Sequence, residues 1–596
     1  MKRIIPFLFI ALLFAGCAKK DNTADKHPNI ILVMTDDQGY GDLGHTGNPI
    51  IKTPNIDAFS EQGVNLTNYH VGTTCTPTRA GLLTGRNCNR NGAWHTIMGA
   101  STLNKDEVTF GDIFKANGYK TGMFGKWHLG DTHPFMPHER GFDEAYFLGG
   151  GGIGQTPDYW LNDYFDDTYF RNGVPEKAEG YCTDVFFKEA LQFIEKNKDD
   201  NFFCYLSLNA PHSPFNVPEE YYNIYKDETD IMESQKRFYG MITNIDDNFA
   251  KLMAKLDELK IADNTILIFT TDNGSSNGWK MNNQTGKMSG YNAGMRGAKA
   301  SQYDGGHRVP FIMRWPNGGV TGGKKLDALT AHVDILPTLA SLAGISFEAT
   351  KEMDGTDISS YLTKGKKPAK RMLVTDTQRV PWPIKGKQSC VMEDHWRLVN
   401  GNELYDVSQD PGQENNIADA HPERVEKMNA FYDSWWASVI KESKLSVIDL
   451  GTVETDVLTC MDIQSKEQFP NWNQKMIRNG NLLIPAKFSV NFTQSGKYKI
   501  ELARWPLESG HALGAELNDE LPGTAYTDPR VKGKALKFKK AFVKIGDQVY
   551  TAPVDNALPT APIEVEVAQG ETGLTAWFET TDGELCNAFY VYVSRL

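Results

Sequence analysis

The segment CTPTRAGLLTGR, residues 75 to 86, places a cysteine and an arginine where both could act on an anion. Thr76 and Pro77 are residue types that favour the N-cap and the first position of a helix, so Cys75 is predicted just before a helix N-terminus. The free N–H groups and the positive end of the helix dipole attract negative charge at that point. Arg79 follows one turn later and could reach back towards the same position.

A second group consists of oxygen-bearing side chains in two separate segments, TDDQGYGD and TDNG. They belong to Asp36, Asp37, Asp272 and Asn273. Three carboxylates crowded together would repel one another strongly without a cation. Hard oxygen ligands select Ca²⁺ or Mg²⁺ over zinc, and a mixed, flexible set favours Ca²⁺ over Mg²⁺. These four residues are therefore candidate ligands of a calcium ion.

Lys126, His128 and His212 complete the candidate site, because each follows an apolar segment directly. The four oxygen-bearing residues also follow apolar segments directly, so four apolar segments in all end in reactive side chains. In open α/β sheets, ligands bind beyond the carboxyl ends of the strands. If the four segments are parallel strands, all seven polar residues converge at one end of the sheet. Each residue alone also fits a turn, a helix cap or a solvated loop, but their coincidence favours a site.

The elements that must position these residues alternate between strand and helix. The apolar run NIILVMT is typical of a strand buried on both faces, and further strands are predicted in YKTGMFGKWHLG, NFFCYLSLNAPHSP and NTILIFTTDNG. Helices are predicted over residues 183–196 and 232–258. A third helix is predicted in KTPNIDAFSEQG, with Thr53 as N-cap, Pro54 first and Gly63 as the stop. This order predicts a large α/β domain.

The run GGGGIG, residues 149–154, formally fits the GxGxxG pattern of dinucleotide-binding turns. Pro157 and the aromatic, acidic segment DYWLNDYFDDTYF follow it in place of the helix that such a site requires. We therefore reject a dinucleotide site and predict a flexible loop, close to the active site at best.

From about residue 446 the sequence changes to short alternating segments bounded by turn residues, such as GKYKIELARW, IEVEV and TGLTAWFETT. Such segments are typical of the strands of a small antiparallel β-sandwich. We therefore predict a large α/β domain over residues 29–445 and a smaller C-terminal domain over residues 446–596.

Residues 1–16 predict a secretory signal peptide, since Lys2 and Arg3 precede an apolar run that is too short to cross a bilayer. The residues before Cys17 resemble a bacterial lipobox, in which the cysteine becomes the lipid-bearing first residue of the mature protein. Residues 17–28 would then be a linker after the anchor. We expect a lipoprotein exported to the bacterial cell envelope, on the periplasmic or outer side of the outer membrane. An ordinary signal peptide with an incidental cysteine is the alternative.

The chain of 596 residues contains 62 basic and 75 acidic residues, which gives a net charge of −13. This balance argues against a nucleic-acid binder that acts through a broadly basic face. An anionic substrate would therefore need a local basic pocket. The cysteines other than Cys17 are scattered and show no CxxC spacing, which argues against a dense disulfide framework or a zinc knuckle. One or two disulfides remain an open alternative.

C-T-P-T-R followed by A-G-L-L-T-G-R resembles the signature of the formylglycine-dependent type I sulfatases of the alkaline phosphatase superfamily. The resemblance covers roughly residues 27 to 440 and implies a large mixed sheet sandwiched by helices, as in alkaline phosphatase. Asp304 stands where the family often has glutamate, a departure that leaves the chemistry intact. Six further motifs stand in the family's order: TDDQGYGD (35–42), GKWHLG (125–130), APHSPF (210–215), TDNG (271–274), RGAKASQYDGGHRVPFIMRWP (296–316) and ELYDVSQDPGQENNIA (403–418).

The resemblance implies that a maturation enzyme oxidises Cys75 to formylglycine, which then completes the calcium shell formed by the four oxygen-bearing residues. Arg79 matches the residue that steadies this nucleophile. Lys299, in a Gly/Ala-rich loop, has no signal apart from the resemblance. The implied basic cluster around the sulfate consists of Lys126, His128, His212 and Lys299.

In the implied reaction, one hydroxyl of hydrated formylglycine attacks sulfur while Lys126, Lys299 and the cation stabilise charge on the sulfuryl oxygens. His212, together with Lys299, would protonate the departing sugar oxygen. His128 would then deprotonate the second hydroxyl, so that the aldehyde reforms and sulfate leaves.

Two alternatives stay open: a phosphate or phosphonate ester hydrolase that shares C-x-P-x-R, and a glycan-binding surface lipoprotein with a decayed site. The aromatic segments DYWLNDYF, DSWWASV and RVPWPIKG favour a sulfated glycan, because rings stack on sugar faces, unless these rings pack in a core. We expect hydrolysis of sulfate esters on an algal polysaccharide such as ulvan, or on its oligosaccharides. The C-terminal domain either binds carbohydrate or only forms a wall of the cleft.

Overall fold

The central sheet of the protein has ten strands, and five adjacent strands in it run parallel. The computed structural model describes residues 27–596, so the predicted signal peptide and Cys17 lie outside the described residues. Four of the parallel strands are the four predicted apolar segments, which confirms that prediction. In spatial order the strands are Lys324–Leu326, Val64–Leu66, Phe311–Arg314, Thr265–Thr271, Asn29–Thr35, Phe202–Ser207, Lys120–Lys126, Glu144–Leu148, Thr168–Arg171 and Val174–Lys177.

The strand Asn29–Thr35 is buried on both faces, as its continuous apolar run predicts. Successive side chains of a strand point to opposite faces of the sheet. Ile30 and Leu32 accordingly belong to one apolar core, whereas Ile31 and Val33 belong to a second core on the other face. Helices pack against the strand residues in both cores, with Leu83 and Phe114 in the first core and Phe186 and Phe249 in the second. The sheet is therefore sandwiched by helices, and the predicted α/β fold is confirmed.

The predicted helices agree closely with the helices of the structure. Those predicted over 183–196 and 232–258 are Cys182–Lys196 and Glu233–Glu258, and Pro54–Gln62 begins after Thr53 and ends before Gly63. In the described part of the chain, the other α-helices are Cys75–Thr84, Cys88–Asn91, Phe110–Ala116, Glu219–Asn223, Asp304–His307, Ile335–Leu342, Ser359–Lys364, Pro422–Val439 and Gln474–Arg478. Short strand pairs are formed by Tyr69–His70 with Thr330–Ala331 and by Trp279–Asn282 with Lys287–Gly290.

A four-stranded antiparallel sheet that we did not predict lies C-terminal to the central sheet in sequence. Its residue Arg397 donates from Nε to Oδ1 of Asp304 at 2.8 Å, and both side chains are at most 1% exposed. Burial raises the pKa of Asp304, but Arg397, together with His70, His307 and Arg308, outweighs this effect and keeps that pKa below its ordinary value. The strands are Met372–Asp376, Ser389–Glu393, Trp396–Val399 and Glu403–Asp406.

We expect Asp304→Asn to lower the free energy of unfolding by about 3–5 kcal/mol, because the Arg397 guanidinium is left buried without a balancing charge. Urea unfolding at neutral pH, followed by circular dichroism, measures this loss. The control is Glu516→Gln, which breaks a pair with Lys532 that is about half exposed on both sides; it should cost less than about 1 kcal/mol. Equal losses in the two variants would contradict a dominant role for the buried pair.

Residues 448–595 form two sheets that share one apolar core, which we call the C-terminal sandwich. Buried and exposed residues alternate along its strands, as expected where one face packs inward. The predicted sandwich is confirmed with one difference: a single strand pair, Ile448–Leu450 with Lys487–Phe492, is parallel. The domain boundary at residue 446 stays a prediction. The other strands are Gly570–Thr580, Phe538–Ile545, Gln548–Pro553 and Leu585–Asn587 in one sheet, and Asp456–Thr459, Tyr590–Arg595, Gly496–Ala503 and Thr560–Val567 in the other.

The cysteines of residues 27–596 are all buried and all free. No disulfide therefore links these residues, so the one or two disulfides that the sequence allowed are absent from residues 27–596. Within the same residues, no helix is both long enough and apolar enough to span a bilayer.

Candidate active site

The carboxyl ends of the parallel strands deliver four predicted ligands to one buried site. The strands Asn29–Thr35 and Thr265–Thr271 are parallel neighbours, so the residues that follow them lie side by side. The backbone N–H of Asp37 donates to Oδ1 of Asp272 at 3.0 Å, and Nδ2 of Asn273 donates to Oδ1 of Asp37 at 2.9 Å. Asp36, Asp37, Asp272 and Asn273 are each at most 1% exposed.

Cys75 joins this group from a different element. Its Sγ lies 3.3 Å from Oδ1 of Asp36 and 3.9 Å from Oδ1 of Asp37. One ligand atom each from Cys75, Asp36, Asp37 and Asp272 can be chosen so that all four lie within 4.8 Å of one another. The convergence predicted from strand ends and the cysteine segment is therefore present in the structure.

The helix that carries Cys75 begins two residues earlier than predicted. Cys75 is its first residue, and Thr74, not Thr76, is the N-cap. Burial, followed by the charges of Asp272 and Asp36, raises the pKa of the Cys75 thiol above its ordinary value. A thiol acts as a nucleophile through its thiolate, so the helix N-terminus does not make this cysteine an activated thiolate in the present arrangement.

Two lysine side chains bring positive charge to the acidic group. Nζ of Lys126 lies 2.6 Å from Oδ2 of Asp36, and both side chains are fully buried. Nζ of Lys299 lies 2.6 Å from Oδ1 of Asp37 and 3.6 Å from Sγ of Cys75. Burial raises the pKa of Asp37, but Lys299, His212 and Lys126 together hold it below its ordinary value. Lys299, which only the resemblance indicated, is thus part of the same site.

Arg79 contacts the acidic group through Asp272 and makes no hydrogen bond to Cys75. Its Nε and Nη2 donate to Oδ2 of Asp272 at 3.0 and 2.7 Å, and both side chains are fully buried. Its Nη1 also donates to the hydroxyl of Ser207 and to the carbonyl of Lys126. The guanidinium is therefore fixed in place and orients a predicted metal ligand.

The two predicted histidines occupy different positions around this group. A ring nitrogen of His212 lies within 4.8 Å of both Sγ of Cys75 and a carboxylate oxygen of Asp36, and its Nδ1 bonds to the carbonyl of Ser213 at 2.6 Å. Burial and the charge of Lys299 lower the pKa of His212 to about 3. The ring is therefore neutral in this arrangement.

His128 is oriented so that its Nδ1 can accept a proton. Its Nε2 lies 2.9 Å from the carbonyl of Thr96, so Nε2 carries the proton and Nδ1 is the acceptor of the neutral ring. This Nδ1 is buried and has no hydrogen-bond partner in the described part of the chain. Burial and then Lys126 lower the pKa of His128 well below its ordinary value. The backbone of His128 has a φ of 58°, as does that of Asp37 at 69°, and such left-handed conformations concentrate at functional sites.

The glycine-rich run at 149–154 lies against both histidines. A Cβ on Gly151 would come within 2.1 Å of Cε1 of His128, and a Cβ on Gly152 would come within 3.2 Å of Nδ1 of His212. The prediction that this run lies close to the active site is therefore confirmed. The sequence contained a signal for it, because four consecutive glycines indicate a close approach of the backbone to another group.

The oxygen-rich group fits a divalent cation. Oδ1 of Asn273 is buried and has no hydrogen-bond partner among the described residues. Burial raises the pKa of Asp272, and repulsion from the neighbouring Asp36 carboxylate raises it further, to about 6. A cation would remove that repulsion and give the Asn273 oxygen a partner. The donor set, carboxylate and amide oxygens, is the set that Ca²⁺ and Mg²⁺ prefer.

Comparisons with known proteins identify the family of this chain. The sulfatase family model matches residues 28–345, more than half of the chain, and a model described as N-sulphoglucosamine sulphohydrolase, C-terminal, matches residues 298–431. Human N-acetylgalactosamine-6-sulfatase is 30% identical over 375 residues, which cover 58% of this chain and 67% of the human protein. The N-acetylgalactosamine-6-O-sulfatase of Bacteroides thetaiotaomicron is 28% identical over 530 residues, covering 73% of this chain and 99% of that protein.

Among solved structures, that of Ps i-CgsB in complex with k-i-k-neocarrahexaose is similar, with a TM-score of 0.62 and 27% identity. It covers 70% of this chain and 94% of its own. The structure of PsFucS1 sulfatase from Pseudoalteromonas sp. shares the fold, with a TM-score of 0.59 and 22% identity, over 71% of this chain and 92% of its own. The chain therefore belongs to the sulfatase family, the type I sulfatases of the alkaline phosphatase superfamily, and is a sulfuric ester hydrolase.

Proposed function

We propose that this enzyme removes sulfate from an algal polysaccharide such as ulvan, or from its oligosaccharides, with a formylglycine made from Cys75 and a bound Ca²⁺. Membership of the sulfatase family implies formylglycine and a divalent metal. One observation carries the proposal: Cys75 lies in a single buried site with three carboxylates, two ammonium groups and an imidazole.

Asp36, Asp37, Asp272 and Asn273, with residue 75, would hold the metal ion. When bound, the cation would supply positive charge that screens the sulfate and lowers the pKa of an oxygen bound to it. Formylglycine would supply a hydrate with two hydroxyls, one that attacks sulfur and one whose deprotonation releases sulfate. A plain serine or thiol at this position lacks the second hydroxyl and would remain as a stable ester.

The other side chains have roles that follow from their contacts. Lys126 and Lys299 would stabilise the charge on the sulfuryl oxygens. His212 would donate a proton to the departing sugar oxygen, because the negative charge of a bound sulfate ester raises the proton affinity of the ring. His128 would accept the proton from the second hydroxyl through its unpartnered Nδ1. Arg79 keeps Asp272 oriented.

We expect Gly151→Ala to reduce kcat for an aryl sulfate about 10²-fold, because the new methyl group occupies the position of the His128 ring and displaces it. KM should change much less, since the change affects proton transfer more than sulfate binding. The control is Gly152→Ala, whose methyl group comes no closer than 3.2 Å to His212 Nδ1, so that a shift of a few tenths of an ångström accommodates it. Steady-state kinetics with 4-nitrophenyl sulfate measure both, and equal kcat values in the two variants would contradict the assigned role of the glycine.

The substrate class is supported by the related proteins. The relatives from human and Bacteroides thetaiotaomicron are named for N-acetylgalactosamine 6-sulfate, and Ps i-CgsB was crystallised with a neocarrahexaose. These names describe sulfated sugars of a glycosaminoglycan type and of a carrageenan type. A sulfated polysaccharide or its oligosaccharides is therefore the substrate that we propose for this chain.

We also propose that the protein is exported and anchored by a lipid on Cys17 in the bacterial cell envelope, on the periplasmic or outer side of the outer membrane. The basic and apolar residues before Cys17 support this location. The proposed partners are the sulfated glycan, the maturation enzyme that converts Cys75, and the membrane. Labelling of cells with a palmitate analogue, with Cys17→Ala as the control, tests the anchor.

The experiment that tests the function compares a sulfate and a phosphate ester of one aryl alcohol, followed by sulfate release from ulvan, carrageenan and chondroitin 6-sulfate oligosaccharides. Faster cleavage of the sulfate ester and release from an algal glycan are expected. Faster cleavage of the phosphate ester would favour the phosphohydrolase alternative. Cys75 unconverted in its native host, with no release from any substrate, would favour the glycan-binding alternative.

A further inference from the structure

Exposed aromatic rings lie at three positions of the described chain that the proposed mechanism does not use. Among the large apolar side chains that are exposed, three are aromatic: Trp382 at 47%, Phe469 at 56% and Trp472 at 36%. Of the three aromatic segments that we singled out, DYWLNDYF and DSWWASV bury Trp160 and Trp436 in apolar cores. Only RVPWPIKG presents an exposed ring, Trp382, and the other two exposed rings belong to the C-terminal sandwich.

Phe469 of the C-terminal sandwich lies close to His128. Its ring centroid is 6.1 Å from that of His95, and His95 directly precedes Thr96 in the chain. The carbonyl of Thr96 is the partner of His128 Nε2. Phe469 is thus separated from a predicted catalytic base by two neighbouring residues.

Trp472 lies on a segment that is hydrogen-bonded to the glycine-rich run. The backbone N–H of Gln474 donates to the carbonyl of Gly154 at 3.0 Å, and its Nε2 donates to the carbonyl of Gln155 at 3.2 Å. The carbonyl of Trp472 itself accepts from the N–H of Thr156 at 3.1 Å. The run that contacts both histidines therefore continues directly into contacts with the C-terminal sandwich.

A groove of about 370 Å³ separates this segment from the loop that carries His212. Ser213, the residue after His212, forms one wall, and Trp472 and Lys475 form part of the other. Lys475 is exposed, and its ammonium has no hydrogen-bond or ion-pair partner among residues 27–596. Arg530 also lines the groove but is paired with Asp163 at 3.1 Å. The groove thus offers one exposed ring and one free positive charge beside the predicted proton donor.

We propose that the C-terminal sandwich binds the sugar residue next to the sulfated one, through Trp472 and Lys475. This inference rests on the proposed function, because it assigns the groove to the glycan that carries the sulfate. It also decides between the two roles that the sequence left open for the C-terminal region, in favour of binding.

The chemistry of the two side chains fits such a sugar. An indole presents a flat apolar face that packs against the C–H face of a pyranose ring. A free ammonium pairs with an anionic group, and the neighbouring sugars of sulfated polysaccharides carry sulfate or carboxylate groups. The position of the groove also fits the proposed mechanism. The leaving oxygen joins the sulfate to the glycan, and His212 is the proposed proton donor to that oxygen. A groove beside His212 is therefore on the glycan side of the reaction.

The experiment compares Trp472→Ala and Lys475→Gln with the unaltered enzyme on two substrates, 4-nitrophenyl sulfate and the best glycan of the panel above. The ratio of kcat/KM for the glycan to kcat/KM for the aryl sulfate should fall about five- to tenfold in each variant. Val549→Ala is the control, because Val549 is exposed on the same sandwich and does not line the groove. The ratio for this control should equal that of the unaltered enzyme.

An unchanged ratio in both variants, with active enzyme on both substrates, would overturn the inference and leave the proposed function standing. Failure of the unaltered enzyme to desulfate any glycan would refute the proposed function and the inference with it. Both side chains are exposed, so neither change opens a cavity, and thermal unfolding verifies that the variants are folded. Should Trp472→Ala unfold, the ratio for Lys475→Gln alone decides.

Discussion

Cys75→Ala protein from a host that converts this signature is expected to release no detectable sulfate from any ester, a loss of at least about 10⁴-fold. Removing the side chain at position 75 removes the precursor of the nucleophile, and no neighbouring group can replace it. The lysines stabilise charge, and the histidines transfer protons. The measurement is sulfate release from 4-nitrophenyl sulfate, together with mass spectrometry of the unaltered peptide around position 75, which should contain formylglycine.

The loss should come from chemistry and not from unfolding. Cys75 is buried, but its replacement by alanine removes only one heavy atom from a polar site. The matched control is Cys88→Ala, a second buried, free cysteine that lies in a different cluster; it should retain activity and formylglycine. Continued sulfate release by Cys75→Ala, or loss of activity in both variants, would overturn the assignment of the nucleophile.

Removal of the divalent cation with EDTA is expected to abolish activity, and added Ca²⁺ should restore it more effectively than Mg²⁺. Binding to the folded state alone also stabilises the fold, by about 2.7 kcal/mol when the free ion is at 100 times its Kd. Asp37→Asn should remove both responses, because it takes away a charged ligand from the centre of the oxygen-rich group. Thermal unfolding with EDTA or Ca²⁺, and metal analysis by mass spectrometry, measure these effects.

The control for the metal prediction is Asp246→Asn. Asp246 is a buried carboxylate that accepts hydrogen bonds from the start of helix Pro54–Gln62 and lies outside the acidic group. This variant should keep the Ca²⁺-dependent rise in Tm. An Asp37→Asn protein that still binds one equivalent of Ca²⁺ would exclude Asp37 as a ligand, and equal restoration by Mg²⁺ would contradict the preference for Ca²⁺.

The residue types and their local spacing were sufficient to predict four parallel strands of the central sheet, the helices Pro54–Gln62, Cys182–Lys196 and Glu233–Glu258, and the candidate site residues other than Lys299. An apolar run that ends in acids identifies a buried strand and its carboxyl end without reference to the rest of the chain. Asp37 and Asp272 could therefore be assigned to one site although they lie 235 positions apart in the sequence. The helix start was predicted two residues late, because Thr74 and Thr76 are both suitable N-caps and only the backbone angles distinguish them.

Other features depended on contacts between segments far apart in sequence, so only the tertiary structure decided them. The partner of Arg79 is Asp272, the partner of the glycine-rich run is His128, and Trp160 is buried against the C-terminal sandwich. The four-stranded sheet was missed because its short strands carry no continuous apolar run. Local pattern determines which elements form and which ends carry reactive groups. Packing between elements determines which side chains meet, because that depends on distances that no short segment contains.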